Sequence, residues 1–367
     1  MKIRKIFAAI AAAAMAVSAT ACASSTNSSS TADSSAADSS AADSSTPAAT
    51  ADAASTADAS SAADDSSAAE IPADKVYNIG ICQLVQHEAL DAATQGFKDV
   101  LTEKLGADHV KFDEQNANGE STNCTTICTG FAASGVDLIL ANATAPLQAA
   151  AQATADIPVL GTSITDYATA LDISDWTGTV GNNISGTSDL APLDQQADMI
   201  VEWMPEAKKV GLLYCSAEAN SQYQVDEVQK YLEAKGVTAT QYAFSDSNDL
   251  SSVCQKAADE NDALYVPTDN TVAANTGIVD GICRPAKKPV FAGEEGICAG
   301  CGVATLSISY YDLGYTTGEM AVKILKGEAD ISTMPIEYTD VTKKYNKAVC
   351  DDLGLTAPEG YLSLIHI

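Results

Sequence analysis

The chain has 367 residues, with 49 Asp and Glu against 20 Lys and Arg, a formal net charge of −29 and 46% hydrophobic residues. So acidic a surface repels nucleic acid and anionic lipid, which excludes both as partners of the folded part. The length suggests two domains, and the apolar content is sufficient for a core in each.

The first 21 residues combine a basic start (Lys2, Arg4, Lys5) with an apolar stretch and small residues before Cys22. This pattern predicts a secretion signal whose apolar part is too short for a resident membrane span. Ala19-Thr20-Ala21-Cys22 resembles a bacterial lipoprotein box with Ala where Leu is usual. Cys22 is therefore the expected lipidation site, with simple cleavage and a free thiol as the plain alternative. Residues 22–74 are dominated by Ser, Ala, Thr and Asp and cannot bury enough apolar surface to offset the entropy of ordering, so they read as a tether. Removing signal and tether leaves 40 acids against 17 bases, a net charge of −23.

From Val76 onward, short apolar runs alternate with amphipathic stretches. VYNIGIC reads as a strand, and in EALDAATQGFKDVLTEKL the residues Leu90, Ala93, Phe97, Val100 and Leu101 fall on one helical face. HVKF, VDLILAN and IPVLG are further strands, separated by helices around Thr122–Ala133 and Pro146–Ala155. Such βαβα order predicts a parallel sheet covered on both faces. The order then begins again: KVGLLYC matches YNIGIC, DALYVPT matches VDLILAN, and KPVFAG matches IPVLG. The offset is 131 residues from Gly80 to Gly211 and again from Pro158 to Pro289. Two doubly wound α/β lobes are predicted, with ligands bound beyond the carboxyl ends of the strands. The loops there are QLVQHEA, NATAP and GTSITD in the first half, and CSAEANS, PTDNT and GEEG in the second.

An enzyme would need a nucleophile and a base. His87 with Glu88, and Ser163 or Ser221, are the available groups, but no G-x-S-x-G elbow surrounds either serine and no glycine-rich nucleotide loop follows a strand. Neither a cofactor nor an enzymatic role is expected, and His87 can equally start a helix. A binding cleft uses the same loops more economically. Glu218, Asp269, Glu294 and Glu295 offer acceptors for an ammonium, while Thr144, Thr162, Ser163 and Ser221 with nearby helix N–H groups can take a carboxylate. Helix N-capping is the competing role for Ser221, Asp269 and Asn270. Arg284 is the only arginine after the signal, which disfavours phosphates and dicarboxylates. Trp203 reads as core; Trp176 is either hinge packing or cleft wall.

Nine cysteines follow Cys22, with close pairs at Cys124/Cys128 and Cys298/Cys301. Zinc wants four ligands and no second close pair partners either, so no metal is expected. In an exported chain, disulfides within these pairs are expected, with free thiols the alternative in an anaerobic habitat. Cys82 and Cys215, at strand ends, read as core.

LVQHEALDAATQGF, VDLILANATA, GTSITDYATA, NISGTSDLAPLDQQ, LLYCSAEANS, YVPTDNT and GEEGICAGCGVATLSISYYDLGYTTGEMA resemble the substrate-binding lipoproteins of an ABC importer family that includes tryptophan- and tyrosine-binding members. The resemblance spans Val76 to Tyr361. It implies the type I periplasmic-binding-protein fold: two lobes, a three-segment hinge and a ligand held between them. It further implies a monomeric extracytoplasmic receptor, anchored to the outer face of the cell membrane only through its lipid, that delivers a small zwitterion, an aromatic amino acid, to a permease and its ATPase. Carried onto this sequence, the cleft residues are Gln86, His87, Ala143, Thr144, Thr162, Ser163, Glu218, Asn220, Ser221, Thr268, Asp269, Asn270 and Glu294. Asp269 or Glu218 is expected to hold the ammonium, and Thr144 and Ser163 the carboxylate; Tyr214, Tyr223 and Trp176 are the candidates for stacking. A sugar or nucleoside receptor, and a chemosensory or enzymatic module, remain the alternatives.

Hinges are expected near Asn182–Leu190, Leu306–Tyr311 and Ala329–Tyr338. The expected lobes are residues 75–190 with 296–328, and residues 191–295 with 329–361. The helix YYDLGYTTGEMAVKIL is expected to return to the first lobe. The last six residues, LSLIHI, follow a polar APEGY loop abruptly, so residues 362–367 read as a non-native tail.

Overall fold

The computed structural model describes residues 75–364; the expected signal, lipidation site Cys22 and tether, and residues 365–367, lie outside the described residues. The first lobe is laid down as β1 (Tyr77–Gln83), α1 (Glu88–Leu105), β2 (Val110–Asn116), α2 (Ser121–Ser134), β3 (Leu138–Asn142), α3 (Thr144–Ala153), β4 (Val159–Ile164), α4 (Tyr167–Ala170) and β5 (Ile184–Ser188). The chain then crosses to the second lobe. There it forms α5 (Leu193–Trp203), β6 (Lys209–Cys215), α6 (Ala219–Ala234), β7 (Thr238–Phe244), α7 (Ser247–Glu260), β8 (Ala263–Val266), α8 (Asn270–Ala273), α9 (Thr276–Cys283), β9 (Val290–Ala292), α10 (Glu295–Cys301) and β10 (Ala304–Ile308). It returns for α11 (Tyr310–Leu325) and β11 (Glu337–Tyr338), then crosses a third time for β12 (Val341–Tyr345), α12 (Lys347–Leu353) and β13 (Leu362–Ser363).

The repeat is visible in the strand order. One sheet runs β11-β5-β4-β3-β1-β2 and the other β13-β12-β10-β9-β8-β6-β7, so β1, β3 and β4 occupy the positions that β6, β8 and β9 occupy in the second sheet. Apart from β12, which runs antiparallel to β10, the strand pairs in both sheets are parallel. Alternation of side chains along a strand feeds two cores per lobe. Along β1, Ile79 and Ile81 face the core beneath α1, and Cys82 faces the opposite one under α2; along β6, Leu212 and Tyr214 oppose Leu213 and Cys215.

Helix α11 packs on α1 of the first lobe. Tyr311 and Tyr315 donate to Asp99 and Glu103, each at 3.0 Å, and Thr317 and Thr187 share a buried hydroxyl contact of 2.8 Å. Three glycines permit this approach, since a methyl group at Gly96, Gly314 or Gly318 would overlap the facing helix.

The lobe boundaries differ from the expectation in two places. The sequence places residues 296–308 in the first lobe, but β10 pairs with β9 and β12 in the second sheet, so the return crossing falls at Ser309. The sequence places residues 329–338 in the second lobe, but β11 pairs with β5, which moves the third hinge to Thr339–Asp340. The first crossing lies at 189–192, at the end of the expected hinge. Leu362 and Ser363, placed in the foreign tail, pair with Lys344 and Tyr345 of β12. No helix among the described residues is long and apolar enough to cross a membrane.

The cysteine pairing also differs. All nine described cysteines carry free thiols. Cys298 and Cys301 sit on successive turns of α10, and Cys124 and Cys128 on successive turns of α2, where side chains run alongside one another instead of converging as a disulfide requires. Cys301 donates instead to the Ile297 carbonyl, and Cys124 and Cys128 both lie against Cys82.

Candidate functional site

The carboxyl ends of the strands from both sheets meet at a nearly closed cleft with about 10 Å³ of free volume, to which both lobes and a hinge contribute. The first lobe supplies His87 from the β1–α1 junction, Leu90 one turn later, Ser163 and Thr165 from the end of β4, and Tyr310 from the first turn of α11. Asp189 comes from the first hinge. The second lobe supplies Asn220 from the start of α6, Thr268, Asp269 and Asn270 between β8 and α8, Ala273, and Glu294 before α10.

Seven expected residues therefore reach the cleft: His87, Ser163, Asn220, Thr268, Asp269, Asn270 and Glu294. The other six do not line it. Gln86 points to solvent, Ala143 packs in the first-lobe core, Thr144 is buried as the first residue of α3, and Thr162 lies inside the sheet near Thr187. Ser221 is wholly buried beside Asp269. Glu218 has both oxygens occupied: Oε1 accepts from the N–H and hydroxyl of Thr271, and Oε2 from the N–H and side-chain amide of Asn270. It borders a wider neighbouring cleft of about 310 Å³ instead.

The expectation that Asp269 or Glu218 holds an ammonium is not what this geometry favours. Asp269 Oδ1 caps α8 by accepting from the Val272 N–H at 2.9 Å, and Oδ2 accepts from the Cys215 N–H at 2.7 Å. Its acceptor capacity goes to the backbone, the capping role that competed for it in the sequence. Glu294 is similarly engaged, accepting from the N–H groups of Gly296 and Ile297. Burial, reinforced by the charge of Glu218, pushes Asp269 up to about 8, and burial pushes Glu294 up to about 7.

Two polar atoms in the cleft are buried without any partner: Ser163 Oγ and Asp189 Oδ1. Asp189 is 4% exposed, and its other oxygen accepts from the Tyr310 hydroxyl at 2.9 Å. Burial pushes its carboxyl up to about 6, against the pull of the Tyr310 hydroxyl. Ser163 sits at φ 57°, a left-handed conformation that costs a non-glycine residue energy and aims the side chain away from the strand's normal direction. Orphaned buried polar atoms are uncommon in folded chains, and two at one cleft point to groups awaiting a ligand.

The sequence missed Asp189, Tyr310 and Thr165. A signal existed for Asp189, since SDLAP ends a strand at an expected crossing and so places a carboxylate at the hinge. The stacking candidates lie elsewhere. Trp176 stacks on Tyr167 with ring centroids 6.5 Å apart, Tyr214 is tied to Gln222 and Gln241, and Tyr223 packs on the second-lobe core. Tyr310 is the aromatic residue lining the cleft.

His87 bridges the lobes, its Nε2 lying 3.2 Å from Asn270 Oδ1, which places the ring proton on Nε2. Burial lowers its pKa from the ordinary value, keeping the ring neutral. Among the described residues neither Lys nor Arg lines the cleft, and Asp189, raised only to about 6, is the carboxylate that carries charge there at neutral pH and favours a cationic group.

A family model for ABC transporter substrate binding proteins matches residues 78–365. The chain belongs to the ABC transporter substrate-binding protein family. A tyrosine-binding protein from Clostridioides difficile is 35% identical over 271 residues, covering 73% of this chain and 78% of that protein. The crystal structure of a Streptococcus pneumoniae ABC domain in complex with L-Trp is 33% identical, with TM-score 0.75, covering 78% of this chain and 100% of that one. A ligand-free, open substrate-binding protein with adhesive properties from Clostridium difficile is 36% identical over 79% of this chain and 99% of that one, with TM-score 0.61. The two parallel-dominated sheets and three crossings are those of a type I periplasmic binding protein. Despite the lower identity, the chain superposes better on the Trp complex than on the open structure, in keeping with a cleft bridged by His87 and Asn270.

Proposed function

We propose that this protein is an extracytoplasmic receptor that captures a zwitterionic amino acid, one with an aromatic side chain, between its lobes and delivers it to an ABC permease. In this reading the ammonium binds Asp189 and the carboxylate binds Ser163. The observation that carries it is the orphaned pair, a carboxylate oxygen and a hydroxyl buried at one cleft that contains no Lys or Arg. An ammonium satisfies Asp189 Oδ1 and a carboxylate accepts from Ser163 Oγ, so one zwitterion pairs both groups. The aromatic preference draws on the L-Trp complex and the tyrosine-binding relative. Lipidation at Cys22 and the 22–74 tether would hold the receptor at the membrane surface near its permease.

A thermal-shift screen of the folded domain against the twenty amino acids, common sugars and nucleosides tests this, because a ligand that binds only the folded state raises Tm. A shift confined to tryptophan, tyrosine and phenylalanine is expected. A shift with sugars or nucleosides alone would overturn the ammonium and carboxylate assignments.

His87→Ala removes one interlobe hydrogen bond and leaves both cores intact. The expected result is affinity weakened by about 2- to 10-fold, the value of one neutral hydrogen bond, with unfolding cooperativity retained. Unchanged affinity in a titration would reduce His87 to a helix-start residue.

A further inference from the structure

Away from the cleft, Cys254 on α7 and Cys283 at the end of α9 face each other with sulfurs 3.8 Å apart. Both are at most 1% exposed and pack with Leu250, Ala257, Val279 and Cys301 in one face of the second-lobe core. The chain between them, residues 254–283, includes β8 and the cleft residues Thr268, Asp269 and Asn270. A disulfide is about 2 Å long, so the sulfurs must close by roughly another 2 Å, within reach of side-chain rotation and a small shift of α9.

We propose that Cys254 and Cys283 form an oxidisable dithiol whose disulfide staples α7 to α9, with low-molecular-weight disulfides as the oxidant. The two thiols share one hydrogen bond in which either can donate, so either can become the attacking thiolate, and the path through Cys254 runs in two steps. Cys254 attacks one sulfur of the oxidant, forming a mixed disulfide and releasing one small thiolate. Cys283 then gives up its proton and attacks the Cys254 sulfur, forming the internal disulfide and expelling the second small thiolate. Two protein thiols are oxidised as the small disulfide is reduced to two thiols.

Access requires local opening, and α9 suits it. The helix has eight residues, and its N-cap residue Asn275 makes no side-chain capping bond. Once formed, the bond closes the loop that carries part of the cleft and restricts the unfolded chain.

The test is to incubate the reduced protein with graded oxidised glutathione, block remaining thiols with N-ethylmaleimide under denaturing conditions, and map the peptides by mass spectrometry. The expected product joins the Cys254 and Cys283 peptides, lacks two hydrogens, and unfolds several degrees above the reduced protein until dithiothreitol reverses both changes. Cys254→Ala removes the link and the gain in Tm. The wild-type map stands alone should that variant fail to fold. Linkage confined to Cys82, Cys124 and Cys128, a persistent glutathione adduct without the link, or nine free thiols would each overturn the proposal.

Discussion

Replacing Asp189 with Asn will raise the Tm of the ligand-free protein at pH 7–8 and weaken amino-acid binding by about 30-fold or more. The opposite signs come from one carboxylate. With no ligand, Asp189 is a buried charge with one oxygen unpaired, and burial has already pushed its pKa up to about 6. An amide of the same shape carries no charge to desolvate and still accepts from the Tyr310 hydroxyl, so the empty fold gains. With ligand bound, the same change removes the partner of a desolvated ammonium. Losing one member of such a buried charge pair costs about 2–5 kcal/mol, and each 1.4 kcal/mol is a factor of ten in affinity. Calorimetric titration beside a melting curve reads both effects. A variant that binds as tightly as the parent would remove Asp189 from ligand recognition and return attention to Asp269.

The two-lobe architecture was legible because it is written as a repeat. YNIGIC and KVGLLYC, VDLILAN and DALYVPT, and IPVLG and KPVFAG are buried parallel strands whose continuous apolar runs survive as pattern, and the topology places each pair at equivalent positions. What was not legible depends on pairing across long distances. ATLSI reads as a strand in either lobe, and only its register against Phe291 and Lys344 assigns β10 to the second sheet. Asp269 and Asp189 are both acids after strands, yet one spends its oxygens on backbone N–H groups while the other keeps one free, a distinction that residue type does not carry. The cysteines follow the same logic. Spacing singles out Cys298/Cys301, which share a helix, whereas Cys254 and Cys283 are brought together only by the packing of α7 on α9.

Lowering the pH from 8 to 5 is expected to stabilise the empty protein while shrinking the Tm gain that an amino acid gives. Asp189, Glu294 and Asp269 have folded-state pKa values raised to about 6, 7 and 8 by burial, above their ordinary values of 3.8, 4.5 and 3.8. In each case the fold binds the proton more tightly than the unfolded chain. The resulting stabilisation is complete below the ordinary value and is lost as the pH rises through the raised one. His87 opposes this trend, because its lowered pKa leaves the unfolded chain the better proton acceptor below about pH 6.5. Asp137 and Asp262, with pKa values depressed below 3.8, act only at more acidic pH. Three groups against one therefore give a net gain for the empty fold. Binding runs the other way: the ligand stays zwitterionic between pH 5 and 7, but its ammonium needs Asp189 ionised. Affinity should be flat above about pH 6 and approach a tenfold loss per pH unit below it, the slope of one obligatory deprotonation. An equal ligand-induced shift at pH 5 and pH 8 would show that no titrating carboxylate receives the ammonium. In that case the orphaned oxygen of Asp189 would have to be satisfied by something other than the solute.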